Sequence, residues 1–178
     1  MKRLLIVLAL VALPVYGGDF SAPPFTLVDD SGKEISLPQK RKGVEVLLFW
    51  ASWCPYCNAL MPHLQSIQIE YGDKVRVYAL NIRDDEDPRE FLDKRGYDFV
   101  LLPKADAVMK PYGVRGTPGL FLIDDKGLIR FNLYEVSFAR SGEFKKLNNR
   151  GKAGRLAPYW AAEIRNQIDQ ILKEASGD

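Results

Sequence analysis

The chain has 178 residues, of which 47% are hydrophobic, and it carries a formal net charge of +2 with two cysteines and one histidine. This length suits one domain with a substantial core, and the near balance of charge disfavours nucleic acid as a partner. Two cysteines are too few for a fold held together by disulfides.

The N-terminus has the pattern of a secretory signal peptide. Two basic residues precede an apolar stretch at 4–15, and two glycines follow it. The stretch is shorter than the roughly 20 residues that a membrane-spanning helix needs. We therefore expect a signal peptide at 1–17, cleaved after Gly17, and a single domain at 18–178 in the bacterial periplasm or another extracytoplasmic compartment. Loss of the two basic residues would leave the mature chain formally neutral.

The predicted elements alternate between strands and helices after a hairpin at 25–37 that turns at Asp29-Asp30-Ser31-Gly32. This order predicts an α/β fold in which a mixed central sheet has helices on both faces. The elements predicted after the hairpin are a buried strand at 46–50, a helix at 55–71, a strand at 75–81, a helix at 87–96, an extended piece at 99–102, a short helix at 106–112, strands at 120–123 and 128–133, and a helix from about Pro158 to Ala175.

Both cysteines lie in one motif, Trp53-Cys54-Pro55-Tyr56-Cys57, at the junction of a predicted strand and helix. Unpaired backbone N–H groups and the positive end of the helix dipole stabilise a thiolate there. Such an environment can lower a cysteine pKa from about 8.5 to between about 3.5 and 7.5. We therefore predict that Cys54 is the nucleophile. Cys57, one turn further into the helix, is predicted to be the less exposed thiol that resolves a mixed disulfide.

A structural disulfide, a metal site and two chance core cysteines are the alternatives. A disulfide across so short a loop would remove little entropy from the unfolded chain. Zinc needs four ligands, whereas the chain offers one thiol pair and His63, its only histidine. The pattern favours a reversible dithiol without a metal or another cofactor.

A basic insertion at about 136–157 lies outside the predicted elements and is long for a simple connection. One interpretation is a mobile, solvated loop. The other is a basic lip near the active site that helps to dock a partner protein or an anionic membrane surface. Against a single acid, Glu143, the insertion carries Arg140, Lys145, Lys146, Arg150, Lys152 and Arg155.

The cysteine motif and its surroundings resemble the thioredoxin superfamily, and more closely its exported TlpA, ResA and CcmG-like branch. The resemblance also rests on Asp30-Ser31-Gly32-Lys33 in the hairpin, on Pro62 in the cysteine helix and on Gly116-Thr117-Pro118 before a strand. It extends from Phe25 to about Ala175 except for the basic insertion. It implies a thioredoxin-like fold with thiol-disulfide oxidoreductase activity.

The resemblance also implies that Pro118 follows a cis peptide bond and packs beside the disulfide, where the backbone of Thr117 can pair with a substrate strand. We expect Trp53 to cover one side of the disulfide and limit the access of water. The residues expected to bind substrate are Trp53, Pro55, Tyr56, Thr117 and Pro118.

The sequence offers one candidate for the proton acceptor of Cys57. Thioredoxins carry a buried aspartate in the strand before the cysteines, but the matching residue here, Leu48, cannot take a proton. In the ResA-like branch a glutamate follows the second central strand, and Asp84 is at the matching position. We expect desolvation to raise the pKa of Asp84 so that it exchanges a proton with Cys57. The alternative is a solvated helix cap, because Asp84 opens an acidic run.

These features predict an exported monomer that reduces disulfides in partner proteins. The resemblance implies a membrane thiol-disulfide electron donor, and apocytochrome c or assembly factors for metal centres such as copper sites as substrates. A net oxidant or isomerase for folding proteins is an alternative, because the sequence does not fix the reduction potential. Others are a non-catalytic docking domain and a copper-binding assembly protein similar to the Sco family. That family has three residues between its cysteines and a distant histidine.

Overall fold

The computed structural model describes residues 20–39, 41–137 and 142–177, and it describes only the backbone of residues 142 and 143. The predicted signal peptide at 1–17 lies outside these ranges. Within them, no helix combines the length and the apolar character that crossing a membrane requires.

Eight strands and five α-helices occur in the described part of the chain, and short 3₁₀ helices follow the first long helix and the last strand. The strands are β1 (Phe20–Ser21), β2 (Phe25–Val28), β3 (Glu34–Leu37), β4 (Val44–Trp50), β5 (Val75–Asn81), β6 (Val100–Leu102), β7 (Gly119–Ile123) and β8 (Leu128–Asn132). The helices are α1 (Pro55–Tyr71), α2 (Pro88–Asp93), α3 (Asp106–Met109), α4 (Gly142–Lys146) and α5 (Asn149–Ser176).

Six strands form one mixed sheet in the order β1-β8-β7-β4-β5-β6. Strands β4, β5 and β6 are parallel, whereas β7 runs antiparallel to β4 and β8 antiparallel to β7. The predicted hairpin is present as a separate sheet of β2 and β3.

Strand β4 is buried on both faces, which explains its uninterrupted apolar sequence. Val46, Leu48 and Trp50 belong to a core cluster that includes the buried sides of α1, α2 and α5. Leu47 and Phe49 belong to a second cluster with α3 and the hairpin. The predicted fold, a mixed sheet with helices on both faces and an N-terminal hairpin, is therefore confirmed.

The sheet topology gathers separate parts of the sequence at one edge. Because β4 and β5 are parallel, the segments that follow Trp50 and Asn81 leave the sheet on the same side. Strand β7 is antiparallel and begins opposite Phe49, so Pro118 arrives at this edge as well. The cysteine motif, Asp84 and Pro118 are brought together in this way.

The basic insertion differs from its predicted structure. Most of the range predicted as a possible loop is helical, because it contains α4 and the first turns of α5. The last helix begins at Asn149 rather than near Pro158. Asn148 caps it by accepting a hydrogen bond from the backbone N–H of Gly151, and Pro158 lies inside the helix. Proline at a helix start is common, which explains the wrong boundary.

Smaller differences occur elsewhere. Strand β1, which pairs with β8, was not predicted, and neither was a cis peptide bond between Leu37 and Pro38. Helix α2 ends at Asp93, because the chain turns at Gly96 with a φ of 67°.

Candidate active site

The two cysteines lie where the sequence predicted, at the first turn of α1. Cys54 is the N-cap residue and Pro55 opens the helix. The backbone N–H of Cys57 donates a hydrogen bond to Cys54 Sγ at 3.2 Å, and Cys57 Sγ donates to Cys54 Sγ at 2.7 Å. Both residues are free thiols in this structure. One sulfur therefore receives hydrogen bonds while the other donates one.

This asymmetry separates the pKa values of the two thiols. The hydrogen bond from Cys57 lowers the pKa of Cys54 to about 6, assisted against burial by the Thr117 side chain and by backbone N–H groups of the first helical turn. Burial raises the pKa of Cys57 well above its ordinary value, and the neighbouring Cys54 raises it further. At neutral pH the pair therefore offers one thiolate, at Cys54.

Accessibility separates the thiols less than the sequence suggested. Cys54 is 2% exposed and Cys57 is fully buried. The predicted order of exposure holds by a small margin only, so the difference in pKa is the stronger reason to treat Cys54 as the nucleophile.

Pro118 follows a cis peptide bond, as the resemblance implied. Its segment is fixed by Tyr134, whose hydroxyl donates to the carbonyl of Gly116 and receives the N–H of the same residue. A Cβ atom at Gly119 would lie 2.8 Å from the Tyr134 hydroxyl, so a larger residue there would displace this hydroxyl from Gly116. Sequence reasoning missed Tyr134, because nothing in the local pattern links it to a segment 18 residues earlier.

A groove of about 580 Å³ opens beside this segment, and Tyr56, Thr117, Pro118 and Tyr134 line it on the cysteine side. The ring of Tyr56 also packs against that of Trp160 in α5, with centroids 6.3 Å apart. Three of the predicted substrate-binding residues therefore border one concave surface.

Trp53 lies at the surface of the site. Its side chain is 60% exposed, and its indole N–H donates to the backbone carbonyl of Arg83 at 2.8 Å. This hydrogen bond ties the ring to the loop after β5. Trp53 therefore presents an exposed aromatic surface next to Cys54, and its role as a cover for the disulfide stays a prediction.

Asp84 lies at the expected edge but in a different environment from the expected one. It accepts hydrogen bonds from the backbone N–H and the hydroxyl of Ser52, both at 2.6 Å, and from the amide of Asn81 at 2.8 Å. Burial acts to raise the pKa of Asp84, but these hydrogen bonds outweigh it and lower the pKa. The expected rise is therefore wrong. The helix cap of α2 is Asp87, not Asp84.

Asp84 thus ties the loop after β5 to Ser52, two residues before the nucleophile. Neither Ser52 nor Asn81 was predicted to take part. The signal available in the sequence was a polar residue at or just after the end of each buried strand. In the structure both Ser52 and Asn81 are nearly inaccessible, and buried polar groups are usually hydrogen-bonded. Among the residues that the structure describes, no group of three or more His, Cys, Asp or Glu side chains is arranged to hold a metal ion.

Comparison with known proteins shows the family to which the chain belongs. Residues 19–132 match the AhpC/TSA family. The thioredoxin-like protein YneN of Bacillus subtilis (strain 168) is 37% identical over 114 residues, which cover 61% of this chain and 66% of YneN. The thiol-disulfide oxidoreductase ResA of Bacillus anthracis is 34% identical over 140 residues, which cover 71% of this chain and 80% of ResA.

Solved structures agree. A Chlorobium tepidum protein assigned as the thiol:disulfide interchange protein DsbE superposes with a TM-score of 0.67 at 27% identity, covering 86% of this chain and 96% of that one. StoA from Bacillus subtilis gives a TM-score of 0.53 at 26% identity, covering 62% of this chain and 87% of StoA.

Proposed function

Because the chain belongs to the AhpC/TSA family and is a thioredoxin-like thiol-disulfide oxidoreductase of the ResA, DsbE and StoA type, we propose that it works outside the cytoplasm as a reductant of disulfides in partner proteins. The observation that carries the disulfide exchange, whichever way the electrons flow, is the opposite shift of the two cysteine pKa values at the start of α1. Cys54 is therefore a thiolate that can attack at neutral pH, whereas Cys57 stays protonated.

In the first step the Cys54 thiolate attacks a substrate disulfide. A bond forms between Cys54 Sγ and one substrate sulfur, the substrate S–S bond breaks, and the departing thiolate takes a proton from the solvent. In the second step Cys57 loses its proton and attacks Cys54 Sγ, which releases the second substrate thiol. The substrate gains two electrons and two protons, and the protein is left with a Cys54–Cys57 disulfide.

The order of these steps follows from the causes of the Cys57 pKa shift. After burial, the largest causes are the hydrogen bond and the negative charge of Cys54. Both disappear when Cys54 Sγ is bonded to substrate. The pKa of Cys57 therefore falls in the mixed disulfide, which makes this thiol reactive only after substrate has been captured. The hydrogen bonds from Ser52 lower the pKa of Asp84, so its carboxylate is a weak base. The substrate thiolate that departs in the second step is therefore the better proton acceptor for Cys57.

The remaining site residues have supporting roles in this proposal. Thr117 stabilises the Cys54 thiolate through its hydroxyl and offers its backbone to a substrate strand beside Pro118. Pro55 starts α1, and Tyr56 and Trp53 supply aromatic surface on two sides of the cysteines.

We further propose that a signal peptide at 1–17 exports the protein, which acts as a monomer. A membrane thiol-disulfide donor then reduces the Cys54–Cys57 disulfide again. Substrates with paired cysteines, such as apocytochrome c or assembly factors for metal centres, suit this role.

A net oxidant is the second candidate, and one observation favours it. A Cys54 pKa of about 6 stabilises the reduced form, which makes a dithiol more oxidising. The reduction potential separates the two functions. Equilibration with defined thiol buffers should give a value below about −220 mV for a reductant, whereas a value near about −120 mV would support the oxidant.

The chemical steps are tested by two variants. Cys57→Ser should accumulate a mixed disulfide with a substrate, detectable by mass spectrometry, while Cys54→Ser should form none. A covalent adduct on Cys57 in the Cys54→Ser protein at the wild-type rate would contradict the assignment of the nucleophile.

A further inference from the structure

The groove beside Pro118 has a second wall that the basic insertion supplies. Phe144 and Lys145 of α4, and Lys152, Leu156 and Trp160 of α5, line the groove together with Tyr56, Thr117 and Pro118. Phe144 and Leu156 are buried, which gives the groove an apolar floor. Lys145 and Lys152 therefore border the same concave surface as Thr117.

The charge of this wall is uniformly positive. Lys145 is exposed and Lys152 is half-buried. Within the described ranges neither lysine forms an ion pair, and the described residues that line the groove include no acidic side chain. An anionic group in the groove would therefore meet two cations that form no ion pair with another described residue.

The helix dipole adds to this positive potential. Lys152 and Arg150 lie at the N-terminal end of α5, and the first turn of that helix contains no acidic residue. Acidic side chains are stabilising at the N-terminal end of a helix, whereas basic side chains there are unfavourable. A carboxylate supplied by a partner would relieve this local repulsion.

We propose that this groove selects substrates by charge. It binds an extended segment of a partner protein that carries an acidic side chain close to the disulfide cysteine attacked by Cys54. The apolar floor contacts the body of the segment, and Lys145 and Lys152 pair with its carboxylate. This inference rests on the proposed disulfide exchange and names the substrate class of that same site.

A peptide segment fits this surface better than a membrane does. Lys145 and Lys152 line a concave groove with an apolar floor, and Thr117 and Pro118 line the same groove. An extended chain can enter such a groove, whereas the flat surface of a bilayer cannot follow it to Thr117. The charge complementarity therefore favours a chain that enters the groove while its disulfide reaches Cys54.

The test uses synthetic peptides that differ only in the residues on both sides of one cysteine, which are Glu, Gln or Lys. That cysteine is joined to thionitrobenzoate, so attack by Cys54 on the peptide sulfur forms the mixed disulfide and releases a coloured thiolate. For the reduced wild-type protein at low salt, the exchange rate with the Glu peptide should exceed that with the Lys peptide by about tenfold, since each partly exposed ion pair contributes about 0.2–1 kcal/mol. The ratio should shrink as salt is added.

A charge-reversed pair of variants locates the effect. Lys145→Glu with Lys152→Glu should abolish or invert the preference. Lys146→Glu with Arg155→Glu is the matched control, because these exposed residues belong to the same two helices and are not among the groove residues. The control changes the net charge equally and should keep most of the preference.

The outcomes separate the two proposals. Equal rates for the three peptides, or a preference that both double variants reduce alike, would overturn the charge selection while leaving disulfide exchange intact. Release of thionitrobenzoate from no peptide would overturn the exchange activity itself and the selection with it. Salt-sensitive sedimentation with anionic phosphatidylglycerol vesicles that requires Lys145 and Lys152, together with equal peptide rates, would assign the lysines to a membrane surface instead.

Discussion

Cys54 owes part of its reactivity to a residue that is distant from it in the sequence. The hydroxyl of Thr117, brought across the sheet edge by β7, is one of the causes that lower the pKa of Cys54. Because the thiolate is the form that accepts this hydrogen bond, removal of the Thr117 hydroxyl destabilises the thiolate of Cys54 relative to its thiol.

Thr117→Val should therefore raise the pKa of Cys54. In the wild-type protein, alkylation by iodoacetamide should be half-maximal near pH 6 and increase with pH as the thiolate forms. At that pH the variant should react about threefold more slowly, since one such hydrogen bond contributes about 1 kcal/mol. Thr26→Val, which changes an exposed threonine of the hairpin, is the matched control. An unchanged profile for Thr117→Val would remove Thr117 from the stabilisation of the thiolate.

The hydrogen bonds of Asp84 predict a structural effect. Asp84→Asn should destabilise the reduced protein by about 1–3 kcal/mol at neutral pH, because Ser52 loses a charged acceptor. The folded pKa of Asp84 lies below 3.8, so this stability is present above that value and is lost as the pH falls through the folded pKa. Urea unfolding at neutral and acidic pH measures the difference, with Asp85→Asn, an exposed neighbour, as the control.

A different result would restore the catalytic interpretation of Asp84. If Asp84→Asn left stability unchanged but slowed the resolution of a mixed disulfide by Cys57, Asp84 would act on the proton of Cys57 rather than on the position of Ser52.

Among the helices, α1 and α5 form the layer that supports the cysteines. Ile168 of α5 is fully buried in the cluster that also contains Cys57 and Leu64 of α1. Ile168→Ala should destabilise the protein by about 2–5 kcal/mol, the range for a truncated core side chain. Ile69→Ala on α1, where the side chain is 72% exposed, should change stability by no more than about 0.5 kcal/mol. Similar losses for both variants in urea unfolding would contradict this packing.

The elements that could be predicted are those with a local cause. The start of α1 follows from Cys54 as a cap with Pro55 behind it, and β4 follows from its apolar run. The start of α5 depends on which of two signals dominates, the asparagine cap at Asn148 or the proline at Pro158. The first turns of α5, together with Phe144 of α4, line the groove. This packing between separate segments is not visible as a hydrophobic periodicity in the sequence.

The site divides in the same way. The cysteines and Pro118 could be assigned from a short motif, and the groove lysines were among the residues of the predicted basic lip. Tyr134 and Ser52, in contrast, act through contacts between distant segments. Asp84 was found by position, but its hydrogen bonds reversed the expected direction of its pKa shift.

At the scale of the whole molecule, a buried carboxyl group, that of Glu45, lies in β4 at the end of the strand away from the active site. Glu45 is the second residue of β4, whereas the cysteines follow the last one, and its side chain is 1% exposed. One carboxylate oxygen accepts the backbone N–H of Gln39 at 2.9 Å, and the other is buried without a hydrogen-bond partner in the described part of the chain. Burial raises the pKa of Glu45 to about 7, against the lowering effects of Gln39 and Arg41.

This shift makes the stability of the whole fold depend on pH. Between 4.5, the ordinary pKa, and about 7, the folded chain keeps a proton that the unfolded chain has lost, so stability decreases as the pH rises through this window. The decrease is on the order of 3 kcal/mol, since one pKa unit corresponds to about 1.4 kcal/mol. Glu45→Gln cannot ionise, and its stability relative to wild type should therefore increase over the same window. Glu34→Gln, at an exposed position of β3, should follow the wild-type curve.

Urea unfolding across this pH window measures the effect of Glu45 on stability. Alkylation of Cys54 in the same samples shows whether the substitution also affects the active site. Because Glu45 lies at the opposite end of β4, Glu45→Gln should leave the alkylation profile of Cys54 unchanged while it flattens the stability curve. Parallel stability curves for Glu45→Gln and the wild-type protein would show that Glu45 is ionised in the fold at the lower end of the window. In that case Arg41, whose charge favours the carboxylate, would outweigh the burial of Glu45.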